Sequence, residues 1–226
     1  MTLVAMKEIG EIAISDSREG GKDYLLRPSF TAMTRIGEPG EIVQAYAQIH
    51  GSEVQRLVAS CAAGFRVIPD WMAPSFNAAA DNLLSASMLV LQACCDDDLS
   101  EAMGEWAEEE GRIVYQPGLM PKDLIIIFAR ELMQHGVVGK AKVRQLQRNE
   151  NNAATSEFRA IDYIVAAQTH FGIGEEEAAN LTMTKFQLLI AAKYPDQKGF
   201  TKEEYDAVAD DYLAKQAARR AQANQK

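Results

Sequence analysis

Apolar positions in this chain recur with two periods, and the change from one to the other divides it into a short extended start and a long helical remainder. Over the first 28 residues Ile9, Ile12 and Ile14 stand among Gly and Glu, and Asp23-Tyr24-Leu25-Leu26-Arg27 follows. The polar segment between them ends in Gly20-Gly21, which supplies positive φ at little cost. The pattern reads as a β-hairpin, with a loose N-terminal arm as the alternative. From Pro39 onward the spacing is helical. Ile42, Val43, Tyr46 and Ile49 repeat every three or four residues, with Pro39 at the start and Gly51 closing the pattern. Ser52 with Gln55 has the form of a capping box, and Val54, Leu57, Val58, Cys61 and Phe65 make one stripe behind it. Pro69 and Pro74 bracket a turn, because each restricts the residue before it to extended backbone. A long helix is predicted next, from Phe76 to Cys95, with Leu83, Leu84, Met88, Leu91 and Cys95 inward.

The second half continues in the same period. Asp98 or Ser100 caps a short helix predicted to carry Met103 and Trp106, and Arg112-Ile113-Val114-Tyr115 reads as a strand stopped by Pro117 and Gly118. Pro121-Lys122-Asp123 opens a helix in which Leu124, Ile125, Ile127, Phe128, Leu132 and Met133 are apolar on most sides, the mark of deep burial. Its β-branched run also suits a strand, but Ala129-Arg130-Glu131-Leu132-Met133 favours helix, and Gly136 ends it. Lys140, Arg144 and Arg148 then fall on one helical face. The polar run from Asn149 to Ser156 reads as a linker. Beyond it, one helix turns Phe158, Ile161, Ile164 and Val165 inward and ends at Phe171-Gly172. Glu175-Glu176-Glu177 then sit in a first turn, where the helix dipole favours carboxylates. Thr182 or Thr184 caps the next helix, which buries Met183, Phe186, Leu189 and Ile190 and stops at Tyr194-Pro195. A last helix carries Tyr205, Val208 and Tyr212 before fading into a basic tail. The expected fold is mainly α and bundle-like with a small N-terminal β-hairpin. It divides into residues 1–148, a linker 149–156 and a C-terminal helical subdomain 157–226.

Composition and charge narrow the function. With 226 residues, 47% of them hydrophobic, the chain can fill the core of one large or two small domains. A net charge of -9 repels phosphate backbones, so nucleic acid is not the expected partner. The Lys140–Arg148 stripe reads either as a contact for nucleic acid or an acidic protein segment, or as a solvated face. Cys61, Cys94 and Cys95 are too few and wrongly spaced for a disulfide framework or a zinc site, which points to a reducing compartment. No uncharged run reaches the roughly 20 residues of a membrane span, and the N-terminus lacks a signal-peptide apolar run. A cytoplasmic location is therefore expected.

The segment from Asp96 to Glu110 holds eight carboxylates and no Lys or Arg. It lacks the order of ligands of a calcium loop, so it reads as a solvated face or a surface for a basic partner. Gly136-Val137-Val138-Gly139-Lys140 is not a phosphate loop: only two residues part the glycines, and Ala141 stands where a hydroxyl would hold magnesium. His50, His135 and His170 sit near predicted helix ends with no nucleophile in a recognisable motif. No catalytic residue, cofactor or metal is expected. Met103, Trp106 and Met133 are candidate groove residues, although Met and Trp at helical spacing are more often core.

Four stretches carry a resemblance: Gly20-Gly21-Lys22-Asp23-Tyr24-Leu25-Leu26-Arg27-Pro28-Ser29-Phe30; Gln134-His135-Gly136-Val137-Val138-Gly139-Lys140-Ala141-Lys142-Val143-Arg144; Leu181-Thr182-Met183-Thr184-Lys185-Phe186-Gln187-Leu188-Leu189-Ile190-Ala191-Ala192-Lys193-Tyr194-Pro195; and Glu203-Glu204-Tyr205-Asp206. They resemble proteins from the tail-gene clusters of long-tailed bacteriophages and prophages, and in particular tail assembly chaperones. The resemblance implies a non-enzymatic, acidic, mostly helical protein in the cytoplasm of the bacterial host. Its partner would be the long, amphipathic tape-measure protein, whose apolar stripe it covers, helix in groove, before the tail tube polymerises. Self-association is compatible with the same reading. The alternative is a structural or completion component of the tail.

Overall fold

The opening alternation folds into three antiparallel strands rather than two. In the computed structural model, which describes residues 2–16, 18–64, 69–141 and 156–194, β1 (Thr2–Met6) pairs with β2 (Ile12–Asp16), and β2 with β3 (Asp23–Leu26). The β2–β3 hairpin is the one the sequence predicts. Its register sets Ile12 opposite Leu26 and Ile14 opposite Tyr24, so four large side chains share one face, and all four are buried. β1 is the unexpected strand. It is brought back onto β2 by a turn in which the Gly10 N–H donates to the Lys7 carbonyl, at 2.9 Å.

Helices follow in close succession. α1 (Phe30–Ile36) is capped by Ser29, whose Oγ accepts the Ala32 N–H at 3.1 Å. α2 (Pro39–Ile49) begins in a reciprocal cap between Glu38 and Glu41. α3 (Ser52–Gly64) buries Cys61 but leaves Val58 exposed; Phe65 lies outside the described residues. A 3-10 turn (Asp70–Met72) runs directly into α4 (Ala73–Ala93), which starts earlier than predicted because Pro74 occupies its first turn, where a missing N–H costs nothing.

The acidic segment corrects the sequence reading. α5 (Ser100–Met103) stops after one turn, and Trp106 lies on a strand rather than on a helix with Met103. Gly104 is the cause. It takes a φ of 81°, and a Cβ there would meet the Gln116 carbonyl at 2.2 Å, so neither helical backbone nor a side chain fits. The chain continues as a hairpin of β4 (Glu105–Glu109) and β5 (Arg112–Gln116), then α6 (Lys122–Met133).

α6 does not end at Gly136 but widens into a π-helical turn (Gln134–Val138). After the residues outside the description come α7 (Ala160–Phe171), α8 (Glu175–Ala179) and α9 (Met183–Lys193). The architecture is mainly α with two small antiparallel sheets. Among the described residues no helix is long and apolar enough to cross a membrane.

The chain divides into a unit of residues 1–190 and another of 191–226, of which only 191–194 are described. In the first unit α4 packs on α1, α2, α3 and α6. Residues 158–189, expected from sequence to begin a separate subdomain, contribute to the same core, and of the 149–156 linker only Ser156 is described. The fully buried Phe30 ring stacks on Tyr163 at 5.5 Å and meets the edge of Phe186 at 6.0 Å. Tyr163 in turn stacks on Phe158 at 5.3 Å. α7 meets this core through Ala160, Ile164 and Ala167; Ile161 and Val165, expected inward, are 50% and 52% exposed. The two alanines let the helix approach closely, and this turns the bulkier pair outward. The last predicted helix and its tail lie outside the described residues.

Phe30→Ala is expected to lose about 3–5 kcal/mol of stability, as for other buried rings. Ile161→Ala should change it by less than about 0.5 kcal/mol. Urea denaturation of both variants measures the contrast.

Candidate functional site

The π-turn after α6 forms a closely packed junction with the start of α9 and the turn before β2. His135 is buried there, with Nδ1 2.8 Å from the Thr184 hydroxyl at the start of α9. The same hydroxyl accepts the Lys140 N–H at 3.0 Å. Gly10 closes the other side of the ring: with a φ of 91°, it leaves no room for a Cβ, which would lie 2.3 Å from His135 Cβ. Thr182, one of the two caps the sequence offers, accepts the Lys185 N–H at 3.1 Å and donates to the Ile9 carbonyl at 3.0 Å. Burial holds His135 below the usual imidazole range, Lys140 pushes it the same way, and Glu131, 3.9 Å from Nε2, opposes them. Around neutral pH these influences favour the uncharged imidazole at this junction.

Beside the π-turn opens a groove of about 570 Å³. Its wall is apolar: Val43 and Tyr46 from α2, Val137 and Val138 from the turn, Phe158 and Tyr163 from the start of the C-terminal segment. Tyr46 is held in place by donating its hydroxyl to Gln134 Oε1 at 3.1 Å. The rim is charged: Arg159 lies 3.6 Å from Asp162, and Glu157 beside them forms no ion pair among the described residues.

The residues singled out from sequence are not gathered around it. Met133 is fully buried in the core and Met103 nearly so, which withdraws both from contact with a partner in this conformation. Trp106 is half-buried on β4. The Lys140 ammonium is paired with Glu131, while Arg144 and Arg148 lie outside the described residues. The groove itself had no signal along the chain, because its walls come from three distant segments.

Two other chemical features are structural. Glu11 is buried and takes hydrogen bonds from Lys7 and Arg27, each at 2.7 Å. Burial alone would raise its carboxyl, but those bonds and charges outweigh it and hold the group below the usual range. The buried Cys94 thiol is pushed up by desolvation and by neighbouring Cys95, which keeps it protonated and unreactive. Among the described residues no group of three or more His, Cys, Asp and Glu is placed to hold a metal ion.

Residues 26–207 match the profile of a family of unknown function, DUF6246, and the chain belongs to that family. No curated protein and no solved structure matches it.

The sign of the pH dependence at His135 follows from its lowered folded-state value. The unfolded chain takes up the proton first, so the stability that the neutral ring contributes is complete above about pH 6.5. It is lost as the pH falls through the lower, folded-state value. Urea midpoints at pH 7 and pH 5 should drop more for the wild type than for His135→Gln. Equal drops would show that other groups govern the acid limb.

Proposed function

We propose that this member of a family of unknown function is a non-enzymatic tail assembly chaperone of a long-tailed bacteriophage or prophage. It binds the tape-measure protein in the host cytoplasm and keeps it soluble until the tail tube polymerises. The reading rests on the resemblance of the four sequence stretches, and the observation that carries it in three dimensions is the apolar groove between α2, the π-turn and α7. A long amphipathic helix exposes a stripe that aggregates unless covered. A groove with an apolar wall covers such a stripe while its charged rim stays in water. The net charge of -9 adds repulsion between complexes, which opposes their association. In this reading the helices form a bundle-like scaffold whose task is to hold that groove open.

Co-expression with the cognate tape-measure protein provides the test. The tape-measure chain should move from the pellet to the supernatant and co-purify with this protein. Val138→Asp, at a partly exposed groove position, should cut the recovered complex by about tenfold, the equivalent of roughly 1.4 kcal/mol. Unchanged solubility of the tape-measure chain and no recovered complex would reject the chaperone reading. Stoichiometric presence of the protein in purified mature virions would instead identify a structural or completion component.

A further inference from the structure

A second surface lies away from the groove, on the β4–β5 hairpin. Its register pairs Trp106 with Tyr115 and Glu108 with Ile113, so these four side chains share one face. At the base that face is anchored. Tyr115 is buried and donates its hydroxyl to the Met103 carbonyl at 2.6 Å, and the Trp106 ring meets Tyr115 edge-on at 5.6 Å. One pair further out the same face is bare: Ile113 is 75% exposed. The apolar face of the hairpin thus continues past the edge of the core. At its root, Trp106 Nε1 is closed off from solvent yet has no hydrogen-bond acceptor among the described residues. The sheet has only two strands, so each keeps an unpaired edge.

The charge of this hairpin differs from that of the acidic residues just before it. Asp96 is paired with Arg35, and Glu101 with Arg18 and Lys22. In contrast Glu105, Glu108 and Glu110 form no ion pair among the described residues, and Arg112 is the one cation between Glu105 and Gln116. Asp97 and Asp98 form no ion pair among the described residues either, but Asp98 is engaged by Ser100. Lys122 sits over the Tyr115 ring at the root of the hairpin face, 4.5 Å from its centroid. The carboxylates further out stand around an exposed isoleucine without an ion pair among the described residues.

We infer that the β4–β5 hairpin is a docking surface for a basic, amphipathic segment of a partner protein. Its aliphatic residues extend the core over Ile113 and Trp106, and its Lys or Arg groups meet Glu108 at their side and Glu110 at the tip. Charge complementarity selects this occupant. Nucleic acid and acidic segments are repelled. A second copy of the chain would bring the same carboxylates against their own kind. The inference relies on the tail-assembly reading only for the identity of the donor chain, which would be the tape-measure protein; the surface and its chemistry stand on the hairpin alone.

The probe is a short labelled peptide of alternating lysine and leucine, titrated into the full chain by fluorescence anisotropy, beside a twin with glutamate for lysine. The lysine peptide should bind and weaken as salt rises, and the glutamate peptide should not bind. Ile113→Asp and the double variant Glu108→Lys/Glu110→Lys should each weaken binding by about tenfold or more, with unchanged circular dichroism because the altered positions are exposed. Glu8→Lys/Glu19→Lys, the same change of net charge on another exposed surface, should leave it unaltered. Equal weakening by both double variants would reduce the effect to net charge and overturn the proposal, as would undiminished binding by Ile113→Asp. Peptide binding to the hairpin with no recoverable tape-measure complex would uphold the surface and reject the tail-assembly reading. Rescue of the tape-measure chain by the wild type but not by Ile113→Asp would support both.

Discussion

The fold is closed by the seating of Phe30. α1 is only seven residues long and has little stability of its own. It persists because its first residue is wholly buried among the rings of Tyr163 and Phe186, which arrive from far along the chain. Backbone bonds fix the same junction: the Phe30 N–H donates to the Leu181 carbonyl at 2.9 Å, and Ser29 bridges to Thr182. The contact joins the two ends of the first unit, so the loop-closure entropy of a long segment is set against one aromatic cluster.

The groove depends on that closure. Phe158 and Tyr163, which belong to the cluster, are also two of its walls. The Phe158 N–H donates to the Pro39 carbonyl at 2.9 Å, which holds the start of the C-terminal segment against α2. The third wall is the π-turn. Its extra backbone residue per turn is stabilised by His135 on Thr184 and by the Gln187 amide on the Val138 carbonyl at 2.8 Å. A single core contact and a single helical irregularity thus set the shape of the groove.

Much of this was legible along the chain, and the exceptions share a cause. α2, α4, α6, α7 and α9 were foreseen because one buried face repeats at the helical period. The β2–β3 hairpin was foreseen because a glycine pair separates two apolar runs. α1 and β1 were not, since each owes its existence to partners distant in sequence. A cap at Asp98 or Ser100 predicts a short helix that reaches Trp106, and the close approach of Gly104 to the chain near Gln116 ends it after one turn. Ile161 and Val165 were placed inward by residue type, whereas the small side chains of Ala160 and Ala167 decided which face of α7 approaches the core. The groove draws on Val43, Val137 and Phe158, so no local pattern could announce it.

The acidic stretch shows how position rather than composition separates scaffold from surface. By sequence its eight carboxylates are alike. In the fold, Glu101 ties α5 to the β2–β3 turn through Arg18 at 2.9 Å, and Asp98 accepts the Ser100 N–H at 3.0 Å to start that helix. These acids are consumed locally. The hairpin that follows pairs strand with strand; within it Glu109 accepts from the Gln116 amide at 3.0 Å, and Glu110 adopts a φ of 51°, which non-glycine residues avoid. A tip built from carboxylates around a bare isoleucine gains nothing for the free molecule: it raises local repulsion and leaves apolar area in water. The docking contact proposed for this face would bury that area and offset that repulsion.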